Sequence, residues 1–333
     1  MENMKAFGKL NEKVLKKYVL ANVGVRDGDL LEPADIGVDF AVIRCLDQYL
    51  IVSADPVTGV RKNIGWYAVN VSANDVATSG NRPRFIVNVM LLSEKEDSVS
   101  LSKITNDVNR ACLNLGISVV GGHSETTKGI DQTILVITSF TFTKKYISSR
   151  NARSGDIILM SKTAGLEGTS ILASEYGRQL AYLGAKIIRN ASKMIKEISI
   201  VDIADMVFKT GYVHAMHDPT EGGVLGGVYE MSVASKLGFV LDQGKVPVAL
   251  ETRKICSALK IDPLKLISSG ALLMSVDPKG KEYVEEMLKD KGIKVAEVGR
   301  FVDRNRILLS EGKEVLVDKS PVDELWKIKK KGL

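Results

Sequence analysis

Four short segments in the first half of the chain set acids or amides beside turns. They are Asp35-Ile36-Gly37-Val38-Asp39, Ser53-Ala54-Asp55, Asn70-Val71-Ser72-Ala73-Asn74-Asp75 and Gly121-Gly122-His123-Ser124-Glu125. Asp55 directly follows a run of strand character, so its carboxylate projects from a sheet end. Asn70 and Asn74 are four residues apart and share one helical face, among the apolar Trp66, Tyr67, Val69, Val71 and Val76. An unpaired buried polar group costs about 1–3 kcal/mol, so these amides need partners. A hard cation such as Mg²⁺ takes one or two carboxylates together with phosphate oxygens and water, and Asp39, Asp55 and Asp75 could supply them. Gly121 and Gly122 let backbone N–H groups approach a phosphate with no Cβ in the way. Taken singly, each segment reads equally as turn acids and local hydrogen bonds; taken together they point to a metal–phosphate site. In the second half, Asp218-Pro219-Thr220-Glu221-Gly222-Gly223 opens a helix and would present N–H groups to an anion. His214 and His217 precede it in what reads as a turn. With no third His or Cys nearby, a structural or substrate-contact role is expected of them.

The elements that would position these residues follow from periodicity. Helical spacing covers 11–20, strands 38–46 and 49–54, and a helix 63–79. A strand follows at 85–92, then a helix at 98–115 stopped by Gly116, a short buried strand at 117–120 and a β-branched strand at 133–143. A polar stretch at 146–154 marks a domain boundary, which divides the chain into 1–148 and 149–333. The second half reads as a strand at 157–161, a Gly-containing turn at 164–168, and helices at 169–182, 186–198 and from 223 to about 236. Its remaining elements are a strand at 271–276, a helix at 281–290 and strands at 294–298 and 306–309. Both halves are α/β with mixed sheets.

A chain of 333 residues with 26% charged and 45% hydrophobic residues is globular, and its length fits two domains. No apolar run approaches the roughly 20 residues of a membrane span, and the first ten residues lack the apolar core of a signal peptide. The three cysteines are widely separated, which excludes a disulfide scaffold and fits a reducing cytoplasm. The net charge of +6 is spread along the chain; its one dense run, Lys327 to Lys331, reads as a solvated tail, and no nucleic-acid partner is expected. No Walker-type loop, G-x-G-x-x-G, H-E-x-x-H or G-x-S-x-G is present.

The acidic segments nonetheless resemble a known superfamily: aminoimidazole ribonucleotide (AIR) synthase, selenophosphate synthetase, thiamine-monophosphate kinase and the hydrogenase maturation protein HypE. The resemblance is carried by Asp39-Phe40-Ala41-Val42, Ser53-Ala54-Asp55, Asn70 to Asp75 with Arg82-Pro83, Gly121-Gly122, Gly155-Asp156 and Gly165 to Gly168. His214 to Gly223 looks most like the HypE branch, with its Asp-Pro-Thr-Arg-Gly-Gly. It spans 31–309. It implies a PurM-like fold, with an N-terminal domain that pairs with a second subunit into a barrel and a C-terminal α/β domain. It further implies ATP with Mg²⁺ as cofactors, phosphorylation of an oxygen on a small-molecule or protein-borne substrate, and a homodimer. Carried onto this sequence, it makes Asp39, Asp55 and Asp75 the metal ligands. Asn70, Asn74, Gly121, Gly122, Asp218, Thr220, Gly222 and Gly223 join them in holding the nucleotide, and Asp75, Asn74 and His123 become the candidate catalytic residues.

The chain departs from the HypE pattern at several positions. The last cysteine is Cys256, so the terminal cysteine that accepts a carbamoyl group is lacking. The family's Gly-Asp-Thr-Lys is Gly122-His123-Ser124-Glu125, its later Arg is Glu221, and a Glu before a late glycine is Ser269. Selenophosphate synthetases share Gly-Gly-His but carry a reactive Cys and an N-terminal Lys loop. Two alternatives therefore stand beside the enzyme: a nucleotide-binding accessory protein without catalysis, and a maturation factor whose cysteine comes in trans.

Overall fold

A computed structural model describes residues 8–330. The first half builds a six-stranded sheet from β1 (Leu30–Glu32), β2 (Ala41–Cys45), β3 (Gln48–Val57), β4 (Phe85–Ser93), β5 (Ser118–Thr127) and β6 (Ile134–Thr143). The strand order is β1-β2-β3-β6-β4-β5. Only β4 and β5 run parallel; the rest are antiparallel. One face is covered. Along β6 the residues alternate buried and half-buried, as in a sheet with one face on a core, and Ile51, Ile86, Leu135 and Ile137 are buried there. The helices of this half are a single turn α1 (Glu12–Val14), α2 (Ile64–Ala77) and α3 (Ser98–Leu115). Asp97 caps α3 by accepting from the Ser100 N–H, and Gly116 ends it in the left-handed region.

The second half carries a seven-stranded sheet of β7 (Ile157–Ser161), β8 (Val213–His217), β9 (Gly238–Asp242), β10 (Leu272–Val276), β11 (Val295–Val302), β12 (Arg306–Ser310) and β13 (Lys313–Leu316). Their order is β13-β12-β9-β11-β7-β10-β8. Around it lie α4 (Leu166–Tyr176), α5 (Ala185–Lys193), α6 (Val201–Phe208), α7 (Gly223–Ser235), α8 (Leu250–Leu259), α9 (Lys281–Asp290) and α10 (Glu324–Lys330). β10 is buried along its whole length, which a strand with both faces covered requires. No helix among the described residues is long and apolar enough to cross a membrane.

The two halves share a hydrophobic core, and α2 is the element that joins them. Twelve of its fourteen residues are buried, so it has no solvent face. One side lies on the first sheet, where Ser72 Oγ donates to the Ile137 carbonyl at 3.0 Å. The other side meets the second half: Tyr67 donates to Ser170 Oγ at 2.9 Å and Trp66 Nε1 to the Ile195 carbonyl at 3.1 Å. This double burial explains why polar residues sit in an apolar helical pattern.

Several expectations need correction. Segment 11–20 is α1 followed by a π-helical turn, Leu15–Val19. The short buried strand at 117–120 is instead the ten-residue β5, exposed almost throughout. The helix expected at 169–182 begins at Leu166 and ends at Tyr176, and 186–198 ends early in a 3₁₀ turn. The expected turn with the two histidines is β8, and α6, β9 and α8 were not foreseen. The lysine run expected as a solvated tail begins on α10, which buries Leu325 and Ile328; within it Lys329 Nζ donates to the Gly59 carbonyl, while Lys327 stays half exposed. Lys331 and the first seven residues lie outside the described residues.

Candidate functional site

Asp39 stands just before β2, in a loop laid against α7. Gly37 makes that approach feasible: its φ is +74°, and a Cβ there would run into the Glu230 backbone. His217 ends β8, Asp218 follows it, and Glu230 projects from α7. These elements produce a buried chain of charges. His217 Nδ1 lies 2.6 Å from Asp39 Oδ1, at ion-pair distance though off the line of a hydrogen bond. Its Nε2 lies 3.1 Å from Glu230 Oε2, and Lys9 Nζ lies 2.6 Å from Glu230 Oε1. Burial pushes the His217 pKa down, but Asp39 and then Glu230 outweigh it and raise it to about 10. His217 is therefore an imidazolium at neutral pH. Burial pushes Glu230 up, yet Lys9 and His217 pull it down to about 2.

Beside this chain four carboxylates share one buried space. Asp75, on α2, accepts from Ser53 Oγ at 2.8 Å. Asp55 lies two residues beyond Ser53 on β3 and so on the same face. Burial, then the charge of Asp55, with further contributions from Asp39 and Asp218, holds the Asp75 carboxyl well above its usual range. Asp218 is raised likewise, first by burial and then by Asp39 and Glu167. Asp39 Oδ2, Asp55 Oδ2 and both carboxylate oxygens of Asp218 are buried without a hydrogen-bond partner. Glu167, at the start of α4, is pushed up to about 7, by burial foremost. Lys162, at the end of β7, has a left-handed backbone (φ 57°). Its amine donates to the Glu197 and Ser199 carbonyls at 2.6 and 2.7 Å, and burial lowers its pKa to about 8.

Carboxylates with unpartnered oxygens, gathered where burial and neighbouring charge raise the pKa of Asp75 and Asp218, are a donor set for a hard divalent cation, which would relieve both the repulsion and the missing hydrogen bonds. Among the described residues no three acid, His or Cys side chains already converge on one point. The acids are gathered but not closed around a centre.

The other expected site residues separate into groups. Asn70 Nδ2 donates to the Trp66 carbonyl at 2.8 Å, and its Oδ1 is buried and unpartnered. Asn74 is engaged at both ends: it donates to the Ile198 carbonyl and accepts from the Ile200 N–H, each at 2.9 Å. These two bonds fasten α2 to the chain leading into α6. The helix start at Thr220, Gly222 and Gly223 is already engaged within the chain, although burial pushes the Asp323 pKa up to about 7. Asp323 Oδ2 accepts from the Gly222 N–H at 2.8 Å, and the Gly223 N–H bonds the Thr220 carbonyl at 3.0 Å. Glu221 Oε2, where the family has Arg, accepts from the Lys9 backbone N–H at 2.6 Å.

Gly121, Gly122 and His123 do not join the acids within one chain. They lie on β5, three strand spacings from β3, or about 14 Å. Gly122 is required by the sheet itself, since a Cβ would run into the Asn88 carbonyl of β4. His123 is exposed and lies 3.2 Å from Glu125 Oε2. His214 and His217, three apart on a strand, point to opposite faces and cannot share a metal; His214 pairs with Asp156 at 2.9 Å instead.

Sequence reasoning missed His217 as a fixed charge, and missed Glu230, Glu167, Lys162 and Lys9. Glu230 had a signal: it is an acid inside the apolar run Val228-Tyr229-Glu230-Met231, the same argument that singled out Asp75. Nothing in the sequence marks the left-handed backbone of Lys162 or the approach of Lys9.

Two sequence-family profiles match the chain: AIR synthase related protein, N-terminal domain, over residues 37–142, and AIR synthase related protein, C-terminal domain, over 153–310. A putative hydrogenase expression/formation protein of Methanocaldococcus jannaschii is 26% identical over 295 residues, covering 86% of this chain and 85% of that protein. The carbamoyl dehydratase HypE of Escherichia coli is 27% identical over 271 residues, covering 79% and 77%. A crystal structure of the hydrogenase maturation protein HypE in complex with ATP superposes with a TM-score of 0.72 at 22% identity, covering 96% of this chain and 97% of that one.

Proposed function

Because the chain belongs to the AIR synthase related proteins, we propose that it binds ATP with Mg²⁺ at Asp39, Asp55 and Asp75 and phosphorylates an oxygen of a small-molecule or protein-borne substrate. The observation that carries this reading is the Asp75 carboxyl, raised by burial and by three neighbouring acids. The metal would neutralise charge on the triphosphate, in a reaction where positioning and electrostatics do most of the catalysis. The chain's own residues supply the positioning. His217 and Glu230 fix Asp39, Ser53 orients Asp75, and Asn74 fixes the loop before α6. Glu167, with a pKa of about 7, can hold or release a proton at neutral pH.

This reading takes the protein to be a homodimer with domains at 1–148 and 149–333. The outer face of the first sheet is uncovered, with Phe142 exposed and Val120 exposed at its β5 edge, and a second copy would cover it. It would also give His123, Gly121 and Gly122 a route to a neighbouring chain's acids. A second reading, nucleotide binding without catalysis, is favoured by one feature: the α7 start already carries the Asp323 carboxylate. ADP release measured across a panel of carboxamides, carboxylates and phosphate acceptors separates the two. Release stimulated by one compound and lost in Asp75→Ala supports the enzyme; ATP binding with no release from any compound supports the second reading.

A further inference from the structure

A second group of polar side chains lies away from the acids, where the two halves meet. A cleft of about 390 Å³ there is lined by Tyr146, Asn151, Arg153, Phe208 and His214. Two of these residues, Arg153 and His214, are held by Asp156, which is 3% exposed. Asp156 accepts from His214 Nδ1 at 2.9 Å, from Ser275 Oγ at 2.5 Å and from the Arg153 backbone N–H at 3.0 Å. The tautomer that donates Nδ1–H to this fixed carboxylate leaves Nε2 as the acceptor. Among the described residues Nε2 has no partner and the Arg153 guanidinium has no ion pair.

We propose that this cleft is a ligand site separate from the acidic cluster, and that it takes a small aromatic acid bearing an N–H or O–H donor. The ring would lie against Tyr146 and Phe208, the acid would meet Arg153, and the donor would reach His214 Nε2. The volume falls within the range of small-molecule sites. His214 and His217 are three residues apart on β8, about 10 Å along the strand, so the site is distinct from the acids but built on the same element.

The chain contains three histidines, so each gives a resolvable imidazole signal in NMR of the full-length protein. The probe is 4-hydroxybenzoate, with benzoate lacking the donor and phenol lacking the acid. A saturable shift of the His214 signal, with His123 and His217 unmoved, is expected. Arg153→Gln should weaken binding about tenfold, the loss of one charge-assisted hydrogen bond. This variant keeps the backbone N–H on Asp156, and an unchanged His214 signal in the free variant verifies its fold. Benzoate and phenol should each bind more weakly than the probe. No saturable His214 shift up to millimolar probe, equal shifts at all three histidines, or unchanged binding in a folded Arg153→Gln overturns the assignment.

Discussion

Replacing His217 by Gln removes the cation between Asp39 and Glu230 and leaves both carboxylates buried. The rise of the His217 pKa from 6.5 to about 10 corresponds to about 5 kcal/mol. The fall of Glu230 from 4.5 to about 2 corresponds to about 3 kcal/mol, at about 1.4 kcal/mol per tenfold change in proton affinity. These figures describe one interaction from its two ends, and Lys9 shares in the second. The loss of stability is therefore set at about 3 kcal/mol, the lower end of the cost of breaking a buried pair. At about 2–4 °C per kcal/mol, the melting temperature at pH 6.5 should fall by about 6–12 °C. The sign of the pH dependence follows from linkage. A base whose folded pKa is raised contributes fully below its unfolded value, here 6.5, and loses that contribution as pH rises through about 10. Lys162, with a folded pKa lowered to about 8, moves stability the opposite way above pH 8. The assay is accordingly the difference between wild type and His217→Gln in urea unfolding from pH 6 to 10.5. That difference should be largest at pH 6–6.5 and shrink toward zero by pH 10.5. A difference below about 1 kcal/mol at pH 6.5, or one constant across the range, would refute the imidazolium.

Three further predictions follow from the same geometry. Gly37→Ala places a methyl group against the Glu230 backbone in a left-handed conformation; it should cost about 1–3 kcal/mol in urea unfolding and weaken ATP binding by displacing Asp39. Asn74→Ala strands the Ile198 carbonyl and the Ile200 N–H in the core, a loss of about 2–4 kcal/mol measurable in the same way. Val120→Lys with Phe142→Lys puts charge on the uncovered sheet face and should convert a dimer to a monomer by light scattering; a wild-type mass already that of one chain would exclude the dimer.

Much of the architecture is visible in residue order because it depends on local periodicity. Helix α3 is recovered from Ser98 to Leu115 and α9 from Lys281 to Asp290, since both are amphipathic and the first is stopped by Gly116. The failures lie where tertiary contacts override the pattern. β5 carries no alternation because no helix covers it, so its short apolar start misled as to both length and burial. β8, Val-His-Ala-Met-His, read as a turn because its histidines are each paired to acids from distant elements, Asp156 and Asp39. Asp75 was legible because a polar group in an apolar helical pattern needs a partner, and Asp39 and Asp55 because acids beside turns and strand ends suit a hard cation; Asp218 was expected at an anion-binding helix start, and the fold sets it among the acids. Gly121, Gly122 and His123 were legible as a motif but not in position, since strand order sends β5 to the far edge of the sheet. Of the charges that hold the acids in place, Lys9 lies 221 residues from Glu230 in the chain, a proximity that only folding creates.

Asp39, Asp55, Asp75 and Asp218 are proposed to form a cation-dependent nucleotide site. Calorimetric titration with ATP, in the presence and absence of Mg²⁺, on wild type and Asp75→Ala tests it most directly. Binding should require Mg²⁺ and disappear in a folded Asp75→Ala. Binding of equal strength without the metal or in the variant, or no binding by the folded wild type, would contradict it.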